Sequence, residues 1–261
     1  MKYRSTVLRY IGLSLMSLLL VISSALHAAD DKNVKALVTV TEQRTLSQQM
    51  LKSYMLVVLK VRVRNSKKEL AASAGRFEEL TGVLTASLPE SSRNSGKAVS
   101  ATWQKLKPLY ASLNTKGDSV DNIYKLSEQL LGELDQLTAE LDSTVNDGFL
   151  INLSARQEMI SQRLAALYNM MYWGYYSDYR DNYNAMLASF EEAMVILKDR
   201  QDNTPGITKG LFDVESQFRR FKAASDISTG TYVPAMIVRS ADKISKRMNE
   251  VTEQYQNIAA N

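Results

Sequence analysis

Ile151-Asn152-Leu153-Ser154-Ala155-Arg156-Gln157-Glu158-Met159-Ile160-Ser161-Gln162-Arg163-Leu164 sets a polar kernel, Arg-Gln-x-x-x-Ser-Gln-Arg, inside apolar residues spaced three and four apart. That spacing is the period of an α-helix with one buried side. The stripe runs on through Tyr168 and Met171, and Gln157 falls on it. A weaker copy lies 114 residues earlier, Glu42-Gln43-Arg44-Thr45-Leu46-Ser47-Gln48-Gln49-Met50. Its stripe, Leu46, Met50, Tyr54, Val57 and Val61, carries Gln43 at the same place.

Working outward, the repeat widens to four segments in one order. Arg76-Phe77-Glu78-Glu79 returns as Ser189-Phe190-Glu191-Glu192, 113 residues on, and Leu84 as Leu197. Val99, Trp103 and Leu106 return as Val214, Phe218 and Phe221, 115 residues on. Leu130, Leu134, Leu137 and Thr138 return as Ile244, Met248, Val251 and Thr252, 114 residues on. A near-constant offset implies internal duplication. Turn signals at Leu88-Pro89, Asn114–Ser119, Asn146-Asp147-Gly148, Asp202–Gly206 and Ser228–Gly230 cut the chain into eight predicted helices. They span about 33–65, 67–87, 92–113, 119–145, 149–179, 181–200, 206–225 and 232–259. Gly117 reads as a helix stop, with Ser91, Ser92 and Asp118 as helix caps. Alternating strand patterns are missing. The expected fold is all-α, two tandem up-down four-helix bundles related by duplication, at 34–146 and 149–260.

The ends and the composition bound the function. Lys2, Arg4 and Arg9, the uncharged run Ile11–Ile22 and the small-residue exit Ser23–Ala29 read as a secretory signal over residues 1–28. The run is shorter than the roughly 20 residues that span a bilayer. Cleavage is expected, with a retained inner-membrane anchor as the alternative, and no transmembrane span is expected after cleavage. Residues 1–28 hold three of the 32 Lys and Arg and none of the 28 Asp and Glu, which leaves 29 against 28. So balanced a chain gives no reason to expect nucleic acid. Cysteine is absent and the single histidine, His27, lies in the signal. Disulfides, thiolate metal sites, His-ligated zinc, and Ser-His-Asp or Cys-His catalysis are excluded. The expectation is a non-enzymatic protein with no cofactor. The acid pairs Glu78-Glu79 and Glu191-Glu192 have no metal-ligand spacing and read as solvated faces.

Two readings of the motif stand side by side. Gln43 and Gln157, with Ser47 and Ser161 one turn on, can form hydrogen bonds that set helix register. They can equally line a polar notch facing a ligand. Arg156 and Arg163, seven residues apart, would then flank it, or else lie solvated on the surface. A run of tyrosines at helical spacing, Tyr168, Tyr172, Tyr176, Tyr179 and Tyr183, reads either as core packing or as a patch for a protein partner. Gly174 within it is a point where the helix can soften.

Asn152-Leu153-Ser154-Ala155-Arg156-Gln157, followed by Met159-Ile160-Ser161-Gln162-Arg163, resembles the signature helix of the type IV pilus methyl-accepting chemotaxis transducer N-terminal (PilJ-like) domain. It is also similar to the periplasmic helix of nitrate/nitrite sensor kinases (NarX-like). The resemblance covers both halves, the second motif more specifically. It implies a periplasmic helical sensor-type module whose motif helix binds a small anion or metabolite at a dimer-like interface. The implied ligand-binding residues are Gln43, Arg44, Ser47, Asn152, Arg156, Gln157, Ser161 and Arg163. Glu158 stands where the family pattern has an arginine, and the first copy keeps Arg44 there. The sequence carries no kinase or methyl-accepting segment, so output is expected to pass to an envelope protein partner or through a homodimer. The alternative is a structural interaction component of the envelope with no small ligand.

Overall fold

The structure, a computed structural model, describes residues 32–145, 148–226 and 231–259, without the side chains at 175, 176, 178 and 259. The predicted signal and His27, most of the Asn146–Gly148 turn, the Ser228–Gly230 turn and the side chain of Tyr176 lie outside it. The described chain is all-helical. The helices are α1 over 32–58, α2 Val63–Ser87, α3 Arg93–Ser112, α4 Gly117–Asp142, α5 Gly148–Met170, α6 Tyr176–Lys198, α7 Pro205–Ala224 and α8 Pro234–Ala259. Among the described residues no helix is long and apolar enough to cross a membrane.

A similar ring contact stands in each half of the chain. Phe77 of α2 meets Trp103 of α3 with ring centroids 4.6 Å apart, and Phe190 of α6 meets Phe218 of α7 at 4.0 Å. Helices α3 and α4 pack together, as do α7 and α8, while α5 lies against both α6 and α8. The core is not divided between the halves. One continuous cluster of buried apolar side chains runs from Leu37 and Met50 of α1 to Val251 and Tyr255 of α8. At its centre α1 and α5 lie side by side and run in the same direction, Arg44 reaching Asn152 and Gln48 reaching Arg163. Every residue from Gln157 to Met171 is buried. A helix buried on all sides needs neighbours all round it, and α5 draws them from both halves.

Three boundaries differ from the sequence expectation. The first helix ends at 58 rather than 65, because Lys60 and Arg62 take left-handed conformations with φ 59° and 50°. The fifth ends at Met170, where Met171–Tyr175 forms a π-type turn around Gly174 at φ 125°. A positive φ is open to glycine without steric cost, so the chain reverses inside the tyrosine run, not beyond Tyr179. At the third, Leu113 (φ 48°) rather than Gly117 takes the left-handed position that closes α3. Gly117 opens α4, with Lys116 as its cap residue and Asp118 in the first turn. Ser92 makes no capping hydrogen bond, whereas Thr204 caps α7 by accepting from the Ile207 amide at 3.2 Å.

Candidate functional site

The motif residues gather along the α1–α5 seam, since the apolar stripe on each helix points inward and carries the polar kernel with it. Gln43 is fully buried, and its Nε2 donates to the Phe77 carbonyl at 3.3 Å and to Thr81 Oγ1 at 3.0 Å. It ties α1 to α2. Gln157, also fully buried, donates to the Leu153 carbonyl of its own helix at 2.9 Å. The two glutamines thus share a register position and do different work. Ser47 and Ser161 donate to the carbonyls of Arg44 and Glu158, 2.7 Å in each case. Both hydroxyls are spent within their own helices.

The arginines separate. Arg44 is 3% exposed; its Nη1 donates to Asn152 Oδ1 at 2.8 Å. Its Nε lies 2.9 Å from Asp135 Oδ1, a charge contact without hydrogen-bond alignment. Burial lowers the Arg44 pKa, and Arg156 adds to that effect while Asp135 and Asp142 oppose it. Asn152 donates in turn to Asp142 at 3.3 Å. Arg156 is exposed. Arg163 is 7% exposed and forms a bidentate pair with Glu128, at 2.6 and 2.7 Å, and donates to Gln48 at 3.2 Å. Burial opposes its charge most strongly, but the Glu128 hydrogen bonds and charge prevail and raise its pKa. The structure therefore brings Arg44 to Asn152 within one cluster and places Arg163 in another. Both buried arginines are already matched by carboxylates.

Sequence reasoning missed the third buried cation. Lys52 has no exposed side-chain surface and lies 2.8 Å from Glu69 and 2.5 Å from Asp242. Its partner Asp242 and the Arg163 partner Glu128 are 114 residues apart, the same spacing as the two motif stretches. Each central helix thus sends a cation to a carboxylate of the other half. Burying an ion pair costs desolvation of both groups, and only close geometry repays it. The partner separations of 190 and 35 residues explain why no local pattern announced them.

Glu158 occupies the place equivalent to Arg44. It is 8% exposed on α5 and is hydrogen-bonded to Thr252 of α8, with Glu253 of α8 and Glu42 of α1 adding negative charge nearby. Burial, reinforced by those acids, pushes its pKa up to about 8. A carboxyl with no cation beside it stays largely protonated near neutral pH. Glu78 remains half-exposed while it accepts from Trp103 Nε1 at 2.5 Å and pairs with Lys107 at 3.2 Å.

The tyrosine run divides at the kink. Tyr168 and Tyr183 are buried, while Tyr172 is 57% exposed and stacks on Tyr232 with centroids 3.4 Å apart. Tyr179 meets Tyr124 of α4 edge-on at 4.7 Å. Clefts of about 270 Å³ between α7 and α8 and about 400 Å³ between α2 and α3 are lined by no motif residue. Among the described residues no group of three or more acidic, His or Cys side chains is placed to hold a metal ion. Compared with known proteins, the chain matches no family model, no curated sequence and no solved structure.

Proposed function

We propose that the protein is an exported, non-enzymatic sensor-type module of the periplasm. In this reading two PilJ-like repeats, related by duplication, pair within one chain and pass a ligand-dependent state to an envelope partner by contact. The supporting observation is the α1–α5 seam. Both motif copies lie on parallel central helices, each tied by an ion pair to a helix of the other half, Lys52 of α1 to Asp242 of α8 and Arg163 of α5 to Glu128 of α4. Such a seam couples the halves, so a shift in one reaches the other through charged contacts that are costly to break.

The same geometry speaks against the motif as an open anion pocket. Arg44 and Arg163 are buried and compensated, and Glu158 removes the positive charge at the equivalent position. A small anion would have to displace Asp135 or Glu128. The motif is better read as the coupling element, with the ligand held elsewhere.

A thermal-shift and calorimetric screen of the full chain against small anions, metabolites and amphiphiles tests the reading. A saturable ligand that raises Tm with its concentration is the expected result. Nitrate and nitrite are expected to give no heat that depends on Arg44. Absence of a saturable ligand in every class rejects the sensor reading in favour of an interaction component with no small ligand.

A further inference from the structure

We propose that the groove between α2 and α3 binds the single unbranched chain of an anionic amphiphile, with its head group at Lys67. The inference rests on the sensor reading and gives it a ligand class. Helices α2 and α3 are closed where Phe77 packs on Trp103 and Trp103 Nε1 donates to Glu78. From there toward the start of α2 and the end of α3 they part. Leu70, Ala71, Ala74 and Gly75 face Tyr110, Ala111 and Leu113 across a cleft of about 400 Å³. Small side chains on both walls hold it open. The buried floor, Leu70 and Tyr110, presents hydrocarbon, since the Tyr110 hydroxyl is bonded to Ser127 at 2.9 Å and its ring rests against Tyr54.

The size and charge of the cleft choose the occupant. Small-ligand sites begin near 300 Å³, so a cleft of about 400 Å³ has room for one unbranched chain. Glu78 is spent on Trp103 and Lys107. Lys67, by contrast, pairs with no carboxylate among the described residues, so the open end is positive. At the corresponding positions of the second half, 113 residues on, Tyr183 stands for Leu70, in the core, and Leu187 for Ala74, half-buried against it. Larger side chains thus stand in the second half where Leu70 and Ala74 line the groove.

Dodecanoate, below its micelle concentration, is the probe, titrated into the full chain by calorimetry with decanoate and tetradecanoate beside it. Each methylene is expected to tighten binding about two- to fourfold until the chain reaches Trp103. Dodecyltrimethylammonium is expected to bind at least about tenfold more weakly. Gly75→Leu fills the groove; a Cβ there meets nothing within 4 Å, and leucine favours helix over glycine, so the fold is expected to hold. It should abolish dodecanoate binding without lowering Tm, and Lys67→Glu should reverse the charge preference. Unchanged dodecanoate affinity in folded Gly75→Leu overturns the assignment, as does equal binding of the cationic amphiphile. A saturable ligand of another class that ignores Gly75→Leu leaves the sensor reading standing and removes the groove from it.

Discussion

At the scale of the residue, Glu158 shows how one substitution inside a shared pattern changes the physics of a site. Arg44, its counterpart, stays charged against Asp135 and Asn152, whereas Glu158 is buried without a cation and is raised to about 8. An unfolded glutamate titrates near 4.3. Between the two values the folded chain holds a proton that the unfolded chain has released, so stability falls as pH rises through this window. The slope approaches about 1.4 kcal/mol per pH unit in the middle of it. Glu158→Gln keeps the shape and cannot ionise. Urea melts at about pH 5 and about pH 8 should differ clearly in the native chain and much less in the variant. Equal pH slopes in the two proteins would count against a buried neutral carboxyl. Of this residue the sequence revealed the departure from the motif, and the burial that gives the departure its meaning came from α8 and α1.

At the scale of the element, the helix pattern was legible because its period of 3.6 is written into neighbouring residues. The exceptions mark where the chain pays in strain. Residues 59–62 contain no glycine, proline or asparagine, yet Lys60 and Arg62 are left-handed. For a side chain with a Cβ that region costs roughly 1–2 kcal/mol. Helix α1 ends there because the buried face must stop where the bundle ends, and packing overrides local preference. Lys60→Gly removes the strain but gives the unfolded chain more freedom, which costs folding about 0.5–1 kcal/mol. It should leave stability unchanged or raise it by up to about 1 kcal/mol. Lys68→Gly, at an exposed position within α2, should lower it by about 1 kcal/mol. Chemical melts of the pair give the comparison, and a loss at Lys60 equal to that at Lys68 would mean the turn is not strained. The kink at Gly174 was half legible: the glycine was visible, but its φ of 125° and the reversal of the chain were not.

At the scale of the whole molecule, the two halves share one core and a pair of central helices buried between them. They should therefore unfold together. Calorimetry of the full chain should show one transition, with calorimetric and van't Hoff enthalpies equal. The segment 149–260 alone would expose the buried sides of α5 that face the first half, and should self-associate or fail to fold. Two separate transitions would point to bundles that stand independently. The sequence by itself determined the helices and the line of polar residues on the two motif helices, because period and spacing are local properties. Only the tertiary structure decided what those polar residues do. Lys52 finds Asp242 at a separation of 190 residues, and Gln48 finds Arg163 at 115. A buried charge must be matched by whatever group the fold brings within about 3 Å, and no local pattern names that group in advance.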